Sequence, residues 1–461
     1  MQPSNKFHRL IRLIIFNLVR LFYPRLEVKG FENLPASGPT IFVLNHPNGL
    51  MDPLILMLGL GRSVSFLAKS TLFGNPLGRA LCQAFGSFPI YRQRDEGKSG
   101  GPQGDATERN EETFARCRAL LHNGGAMALF PEGTTHSGSE LLPLKTGAAR
   151  IALSAEGEMN WQLGLQIVPV GLWYESKIHF RTSVLLVVGQ PFSLTDYAAA
   201  YADNEYQTVQ TVTDRIETGL DRVVLQAENA ELLAAVPVLA AWISSDSQPP
   251  NLAQQHDWTA RLLAAYDHLQ QNDPSRLESI AQQARNYANT LQTLGISDPW
   301  VWERPALSPG PLAGLLVKLI VTLPLALAGL ILSYIPYRLA GPIAIWGVGR
   351  YDTQTSTVKL ILGAVLVLLA WIIEAILVGR WLGGWWGDLL FVAAPGLAYL
   401  ALRWGEDWRK LRILISSRWL RWRQGRLVES LMKQRRHLAQ QVLEAIEMTP
   451  VQQDVPRVQL F

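Results

Sequence analysis

Residues 319–337, LIVTLPLALAGLILSYIPY, carry no charged side chain, and residues 360–378 carry one, Glu374. Each run matches the ~20-residue helix that crosses a hydrocarbon core of ~30 Å. A chain holding two such runs must bury them in a large core or place them in a bilayer. A third uncharged run, 389–402, is shorter and contains Pro395; WLGGWWGD precedes it. It reads as a third span, a half-span or a re-entrant piece. Three apolar runs close together favour the bilayer over a soluble core. Pro324 and Pro336 are placed to kink or end the first span. Trp381, Trp385 and Trp386 suit an interfacial belt. Glu374 lies near the end of its span and reads as a packing or snorkelling residue.

The segment behind these runs is basic. Residues 403–436 hold eleven Lys and Arg against Glu406, Asp407 and Glu429, with Trp404, Trp408, Trp419 and Trp422 interleaved. That composition suits anionic headgroups. No nucleic-acid module is visible, so nucleic acid is not an expected partner. The positive-inside bias puts this tail in the cytoplasm. Two crossings are therefore expected, with 389–402 re-entrant or along the interface. Thr353, between the spans, then faces the far side, and the tail helix lies on headgroups.

The remainder reads as a layered domain. The 461 residues suffice for two or three domains. The net charge is only +4, and the two cysteines, Cys82 and Cys117, make no disulfide framework or zinc spacing. They fit a reducing compartment. Residues 8–23, HRLIRLIIFNLVRLFY, predict a helix with Arg9, Arg12 and Arg20 within an arc of about 80°. Two readings stand: a helix in a membrane interface, or one packed on the domain's own core. Arginines inside the apolar stretch and the lack of an A-x-A site argue against a cleavable signal. From 25 to 195, strand-like runs (40–44, 64–68, 88–91, 126–130, 167–172, 184–188) alternate with helical windows (51–60, 76–85, 108–122, 146–156). Such alternation predicts an α/β layer fold. Residues 94–110 read as a polar, Gly-rich loop. Residues 204–295 read as helices broken at 244–251.

Within this domain, LNHPNGLMDP (44–53) places His46 and Asp52 at the two ends of a short Gly-containing turn. A carboxylate that fixes an imidazole leaves the other ring nitrogen to take a proton from a hydroxyl. The plainer reading is that Asp52 caps the following helix and His46 packs in the turn. No serine or cysteine stands in a nucleophile elbow, which favours direct transfer to a substrate hydroxyl over a covalent acyl-enzyme. Further on, 129–152 read LFPEGTTHSGSELLPLKTGAARIA. Backbone N–H groups of the turn at Gly133, the Thr134 hydroxyl and Lys145 form a candidate phosphate site. Lys145 reads equally as a surface lysine at a helix start, and His136 as a solvated turn histidine or a phosphate aid. In GSFPIYRQR, Arg92 follows a short strand, and arginine suits bidentate phosphate contacts. IVPVGLWY (167–174) is a strand containing Pro169. No histidine spacing suggests a metal site.

These four blocks, in this order, resemble the glycerolipid acyltransferase superfamily, which includes the lysophosphatidate and glycerol-3-phosphate acyltransferases. The matching residues are Asn45-His46…Asp52, Gly86…Arg92, Phe130-Pro131-Glu132-Gly133-Thr134 and Val168-Pro169-Val170. Five residues separate His46 from Asp52, where the family usually has four; Gly49 is expected to let the loop bulge. That H-x5-D-P spacing and PEG…H…LLPLK-G-A look like the yeast-type glycerol-3-phosphate/dihydroxyacetone-phosphate branch, which also carries C-terminal membrane segments.

The resemblance implies a mixed α/β sheet flanked by helices, followed by a helical membrane region. It implies His46 as general base and Asp52 as its orienter. Asn45 and Arg92 would contact substrate, Arg92 through the acceptor phosphate; Glu132, Gly133, Thr134 and Lys145 would shape that site. No resident cofactor is implied: acyl-CoA or acyl carrier protein is a co-substrate, a phosphorylated glycerol the acceptor, and membrane lipid the surrounding. The expected layout is an interface helix at 1–24, a catalytic domain at 25–195 on the cytoplasmic face, a helical extension at 196–305, a transmembrane region at 306–402 and a basic tail at 403–461. A non-catalytic lipid-binding protein and a thioester hydrolase remain the alternatives.

Overall fold

The computed structural model describes residues 6–74, 76–91, 106–243, 251–296, 309–348 and 352–449. The chain divides into two compact units, 1–229 with 348–360, and 230–347 with 361–461.

The first unit is an eight-stranded mixed sheet with helices. Its strands are β1 (Arg25–Lys29), β2 (Thr40–Leu44), β3 (Ser65–Lys69), β4 (Phe88–Ile90), β5 (Ala126–Leu129), β6 (Gln166–Tyr174), β7 (Ser183–Val188) and β8 (Phe192–Ser193). The order is β1-β7-β6-β2-β5-β3-β4, with β8 beside β6. The pairings β6–β2, β2–β5, β5–β3, β3–β4 and β1–β7 are parallel; β6 is antiparallel to β7 and β8. Strands covered on both faces read as unbroken apolar runs. TIFVL and SVLLVV are such runs, and every residue of β2 and β7 is buried. All six expected strands are present within about two residues. β1 and β8 are additional: RLEVK carries three charged residues among its five, and β8 has only two residues.

The helices of this unit are α1 (Lys6–Phe22), α2 (Met51–Leu60), α3 (Pro76–Ala84), α4 (Ala106–His122), α5 (Gly147–Glu158), α6 (Ala198–Asp203) and α7 (Glu205–Asp221). The N-terminal helix packs on the domain's own core along one face. Val19 and Phe22 are buried, and Ile11, Ile15 and Phe16 pack on the same core, while the Arg12 guanidinium donates to the Ala84 carbonyl. Phe7, Leu10, Leu13 and Ile14 are each more than half exposed. Of the expected loop at 94–110, residues 106–110 are the first turn of α4, and the rest lies outside the described residues.

The second unit is helical: α8 (Ala230–Ile243), α9 (Leu252–Asn272), α10 (Pro274–Thr293), α11 (Pro309–Val348), α12 (Asp352–Leu382, beyond its first turns), α13 (Gly384–Arg423) and α14 (Gly425–Met448). Among the described residues three helices are long and apolar enough to cross a membrane: Leu312–Gly347, Thr353–Leu382 and Gly384–Arg423. The short segment expected at 389–402 is thus part of one helix that continues through Pro395 into the basic tail. One proline removes one donor, and the neighbouring turns hold the helix together. Pro324 and Pro336 likewise lie inside α11 and do not end it.

Two expectations about the C-terminal half are overturned. The tail is not a single helix: its first part ends α13, and α14 packs with α8, α9 and α10, burying Val428, Leu431, Leu438 and Val442. Arg435 is buried there too and donates to the Trp242 carbonyl at 2.6 Å. Its basic count concealed an apolar stripe at helical spacing. The expected helical extension is also split, α6 and α7 belonging to the first unit and α8–α10 to the second. Second, Thr353 does not face away from the site. Residues 348–360 belong to the first unit, and Thr353, Thr355 and Ser356 are buried. Charge counting orients loops, but it takes no account of a polar helix start that docks on a folded domain.

Candidate active site

The parallel strands β2, β5 and β6 run side by side, with Val43 opposite Leu129 and Leu44 opposite Val170. The loops leaving their C-terminal ends therefore emerge together, at the edge of the sheet where α/β folds build sites. They carry Asn45–Leu50, Phe130–Thr146 and Glu175–Thr182.

The loop after β2 brings His46 and Asp52 into contact. His46 Nδ1 lies 2.8 Å from Asp52 Oδ2. A carboxylate only accepts, so Nδ1 carries the hydrogen and Nε2 is left with its lone pair. Asp52 is fully buried. Its Oδ2 also accepts the Asn48 N–H at 2.8 Å, and its Oδ1 accepts the Tyr174 hydroxyl at 2.6 Å. Burial, aided by the nearby Asp52 charge, pushes the Tyr174 phenol well above its ordinary range, so it remains a donor. Burial likewise raises the Tyr23 phenol. The plain helix-cap reading of Asp52 fails: α2 begins after Leu50, and the carboxylate faces back into the loop rather than onto the first free N–H groups of the helix. Gly49, within this turn, has φ +45°, the left-handed conformation expected of it. The His46 ring stacks on Phe130, with centroids 3.9 Å apart and planes 16° off parallel.

The loop after β5 is tied to the first. Glu132 is buried, and its carboxylate accepts from the His46 N–H at 3.2 Å, the Leu142 N–H at 3.0 Å and the His136 ring. The Gly138 N–H donates to His136 Nδ1, so His136 Nε2 carries the hydrogen that faces Glu132. The carboxylate expected to shape the acceptor site is thus spent on holding the two loops together. Gly133 has φ +69°, and its N–H donates to the Phe130 carbonyl at 2.9 Å. That N–H is therefore not offered to a phosphate, contrary to expectation. Lys145 does lie over this turn: a Cβ on Gly133 would come within 2.7 Å of its Nζ. Thr134, half-buried, follows in the same turn.

Asn45 is also committed within the protein. It donates to the Leu172 carbonyl at 3.2 Å and accepts the Leu172 N–H at 2.8 Å, closing the end of β2 onto β6. Its substrate-contact reading gives way to a framework one. Arg92 lies outside the described residues. Tyr91, just before it, exchanges both backbone groups with the Asn110 side chain and lies under the Arg109 guanidinium.

Several residues of the cluster had no sequence signal. Tyr23 donates to the Lys177 carbonyl at 3.0 Å and accepts from Asn48 Nδ2 at 2.9 Å. Lys177 Nζ reaches Ser137 Oγ at 2.7 Å, adding a cation beside His136. Tyr23, Asn48, Phe130, Ser137 and Tyr174 lie inside the motif stretches, where a helix-end tyrosine, a polar turn residue or a strand end draws no attention by type, and Lys177 lies outside them. Among the described residues no group of three or more His, Cys, Asp or Glu side chains is placed to hold a metal. Both cysteines are buried.

Residues 25–173 match the Acyltransferase family model. An uncharacterized acyltransferase of Schizosaccharomyces pombe is 26% identical over 364 residues, covering 62% of this chain and 54% of that protein. Glycerol-3-phosphate O-acyltransferase 1 of Saccharomyces cerevisiae is 23% identical over 540 aligned positions, covering 94% and 70%. Human 1-acyl-sn-glycerol-3-phosphate acyltransferase alpha is 32% identical over 149 residues, covering 32% and 48%. The chain thus spans about half the length of the first and the last of these relatives.

Proposed function

We propose that this chain, whose residues 25–173 match the Acyltransferase family model, moves an acyl group from a thioester to a hydroxyl of glycerol 3-phosphate or lysophosphatidate. One observation carries the reading: a buried aspartate, held by three donors, fixes the His46 tautomer so that Nε2 is the basic nitrogen. His46 takes the hydroxyl proton as the oxygen attacks the thioester carbonyl. The C–S bond breaks, and the thiolate leaves with the proton returned from His46. Proton transfer of this kind contributes ~10²–10⁴-fold. Lys145 and Arg92 hold the acceptor phosphate and set the attack geometry. The buried thiols offer no covalent alternative at this site.

The donor is acyl-CoA or acyl carrier protein, used as co-substrate without a resident cofactor. A bilayer location suits lipid-like substrates and products, and the three long apolar helices support it. The catalytic unit is assigned to the cytoplasmic face, where phosphorylated glycerols and thioester donors are made. Similarity to both a glycerol-3-phosphate acyltransferase and a 1-acyl-sn-glycerol-3-phosphate acyltransferase supports these two acceptors.

The test is labelled acyl-CoA with purified protein and a panel of glycerol 3-phosphate, dihydroxyacetone phosphate and lysophosphatidate. Acceptor-dependent thiol release with a labelled ester product is expected. Thiol release in water alone would mean a hydrolase, and no release a lipid-binding protein.

A further inference from the structure

We propose that the first turns of α12 are a positioning element of the catalytic loop, acting through a hydrogen bond from Ser356 to Asn48. The stretch DTQTSTVKL, 352–360, is some 300 residues past the His46 loop yet belongs to the same compact unit. It opens a helix that is otherwise apolar and largely exposed, so buried polar residues at its start require partners. They have them. The Ser356 side chain, fully buried, donates to Asn48 Oδ1. Lys359 Nζ donates to the Ile178 carbonyl at 2.9 Å, in the loop that follows β6. The Thr353 carbonyl lies against Gly49, where a Cβ would approach it to 2.9 Å. Leu360 packs on the core beneath the site. Gly49 thus answers two demands, a positive φ and room for this segment.

Asn48 is the joint. It is fully buried, and its three polar groups in hydrogen bonds reach three different elements. Its N–H holds Asp52 Oδ2, its Nδ2 holds the Tyr23 hydroxyl, and its Oδ1 takes the Ser356 hydroxyl. Asp52 Oδ2 is the same atom that fixes His46. Removing the Ser356 hydroxyl leaves the Asn48 carbonyl oxygen without that donor in a dry site, and the loop must shift to solvate it. A shift there passes through one backbone N–H to the oxygen that aligns the base. Ser356 touches no substrate in this account. It acts through Asn48 and Asp52, so its effect falls on turnover and not on substrate affinity.

The kinetic part of this inference rests on the acyltransferase reading; the contact itself does not. The test uses the full chain in lipid nanodiscs, comparing Ser356→Ala, Ser356→Thr, Asn48→Ala and the double Ala variant with wild type. Ser356→Ala is expected to lower kcat about ten-fold, as the cost of one stranded buried acceptor implies. Donor and acceptor KM should stay within about two-fold, the pattern of a misplaced catalytic group. Ser356→Thr, which restores the hydroxyl, should recover most of the loss. The same proteins are melted, and the double variant should lose less than the sum of the single losses, since both remove one contact. A Ser356→Ala enzyme with wild-type kcat, or one impaired through KM alone, overturns the positioning role. Additive melting losses overturn the contact. Wild-type protein that acylates nothing in the panel defeats the acyltransferase reading instead, and the melting cycle still decides the contact.

Discussion

The two units use the same apolar residues in opposite ways. In β2, β6 and β7 the Ile, Leu and Val side chains are removed from solvent, and Ile41, Leu44, Val170 and Leu186 are fully buried. In α11 and α13 the same residue types face outward: Ile320 is 69% exposed, Ile331 74% and Val392 77%. A strand shares its backbone hydrogen bonds with its neighbours, so a sheet this apolar must be covered on both faces. A long helix satisfies its backbone internally and needs only apolar surroundings. Exposed apolar surface on this scale marks a lipid-facing or partner-facing region. The difference teaches that apolar content alone does not locate a core; the period and length of the apolar run do.

On the proposed function, the chemistry resides in the first unit. His46→Ala should lower turnover by ~10²–10⁴-fold, with circular dichroism and membrane extraction unchanged. Residual activity within a few-fold of wild type would break the assignment. Packing should divide the units just as sharply. Leu186→Ala, in a close-packed sheet, should cost about 2–5 kcal/mol, read as loss of folded protein in a detergent melt. Ile331→Ala should cost far less, because the bilayer or detergent refills the space. Equal losses would mean that α11 is buried by protein.

Arg92→Ala should raise the acceptor KM by about ten-fold or more, from a lost charge-assisted contact of ~1.5–3 kcal/mol, and leave the donor KM nearly unchanged. An equal effect on both would make Arg92 structural. A subtler test concerns the segment shared by helix and site. In a background lacking Cys82 and Cys117, Thr353→Cys should resist an impermeant thiol reagent applied outside intact cells, since Thr353 is buried in the catalytic unit. Ready labelling would restore the layout in which 353 faces the far side. Least of all, the native thiols should ignore alkylating agents at pH 8 in folded protein. Burial pushes Cys117 up to about 12 and raises Cys82 as well, so neither supplies thiolate. Rapid modification before unfolding would show that the core opens.

Most of the catalytic unit was legible in advance where the pattern was long or the motif dense. The six main strands and the four helical windows were read from alternation; spacing alone left the His46–Asp52 pair open against a helix cap, and the resemblance of the four ordered motif blocks carried it. Glu132 was read as a site residue by its motif, with capping of backbone N–H groups as the alternative, and its contacts with His46, His136 and Leu142 show it as a clasp between loops. Asn45 differs in the same way. A side chain's type states what it can bond, and position alone decides whether protein has already taken those bonds.

By itself the sequence determined what depends on neighbours along the chain: the apolar runs of α11 and α12, the strand–helix alternation, and a Gly-containing turn with His46 and Asp52 at its two ends. Turn geometry and periodicity are local, so they survive without knowledge of the whole. Only tertiary structure decided that Tyr174 and Tyr23 support that turn, that α14 is buried among α8–α10, and that Ser356 closes on Asn48. These contacts join residues tens to hundreds of positions apart. Their partners are chosen by which strand ends and helix starts the packed core brings together, and no local pattern records that choice.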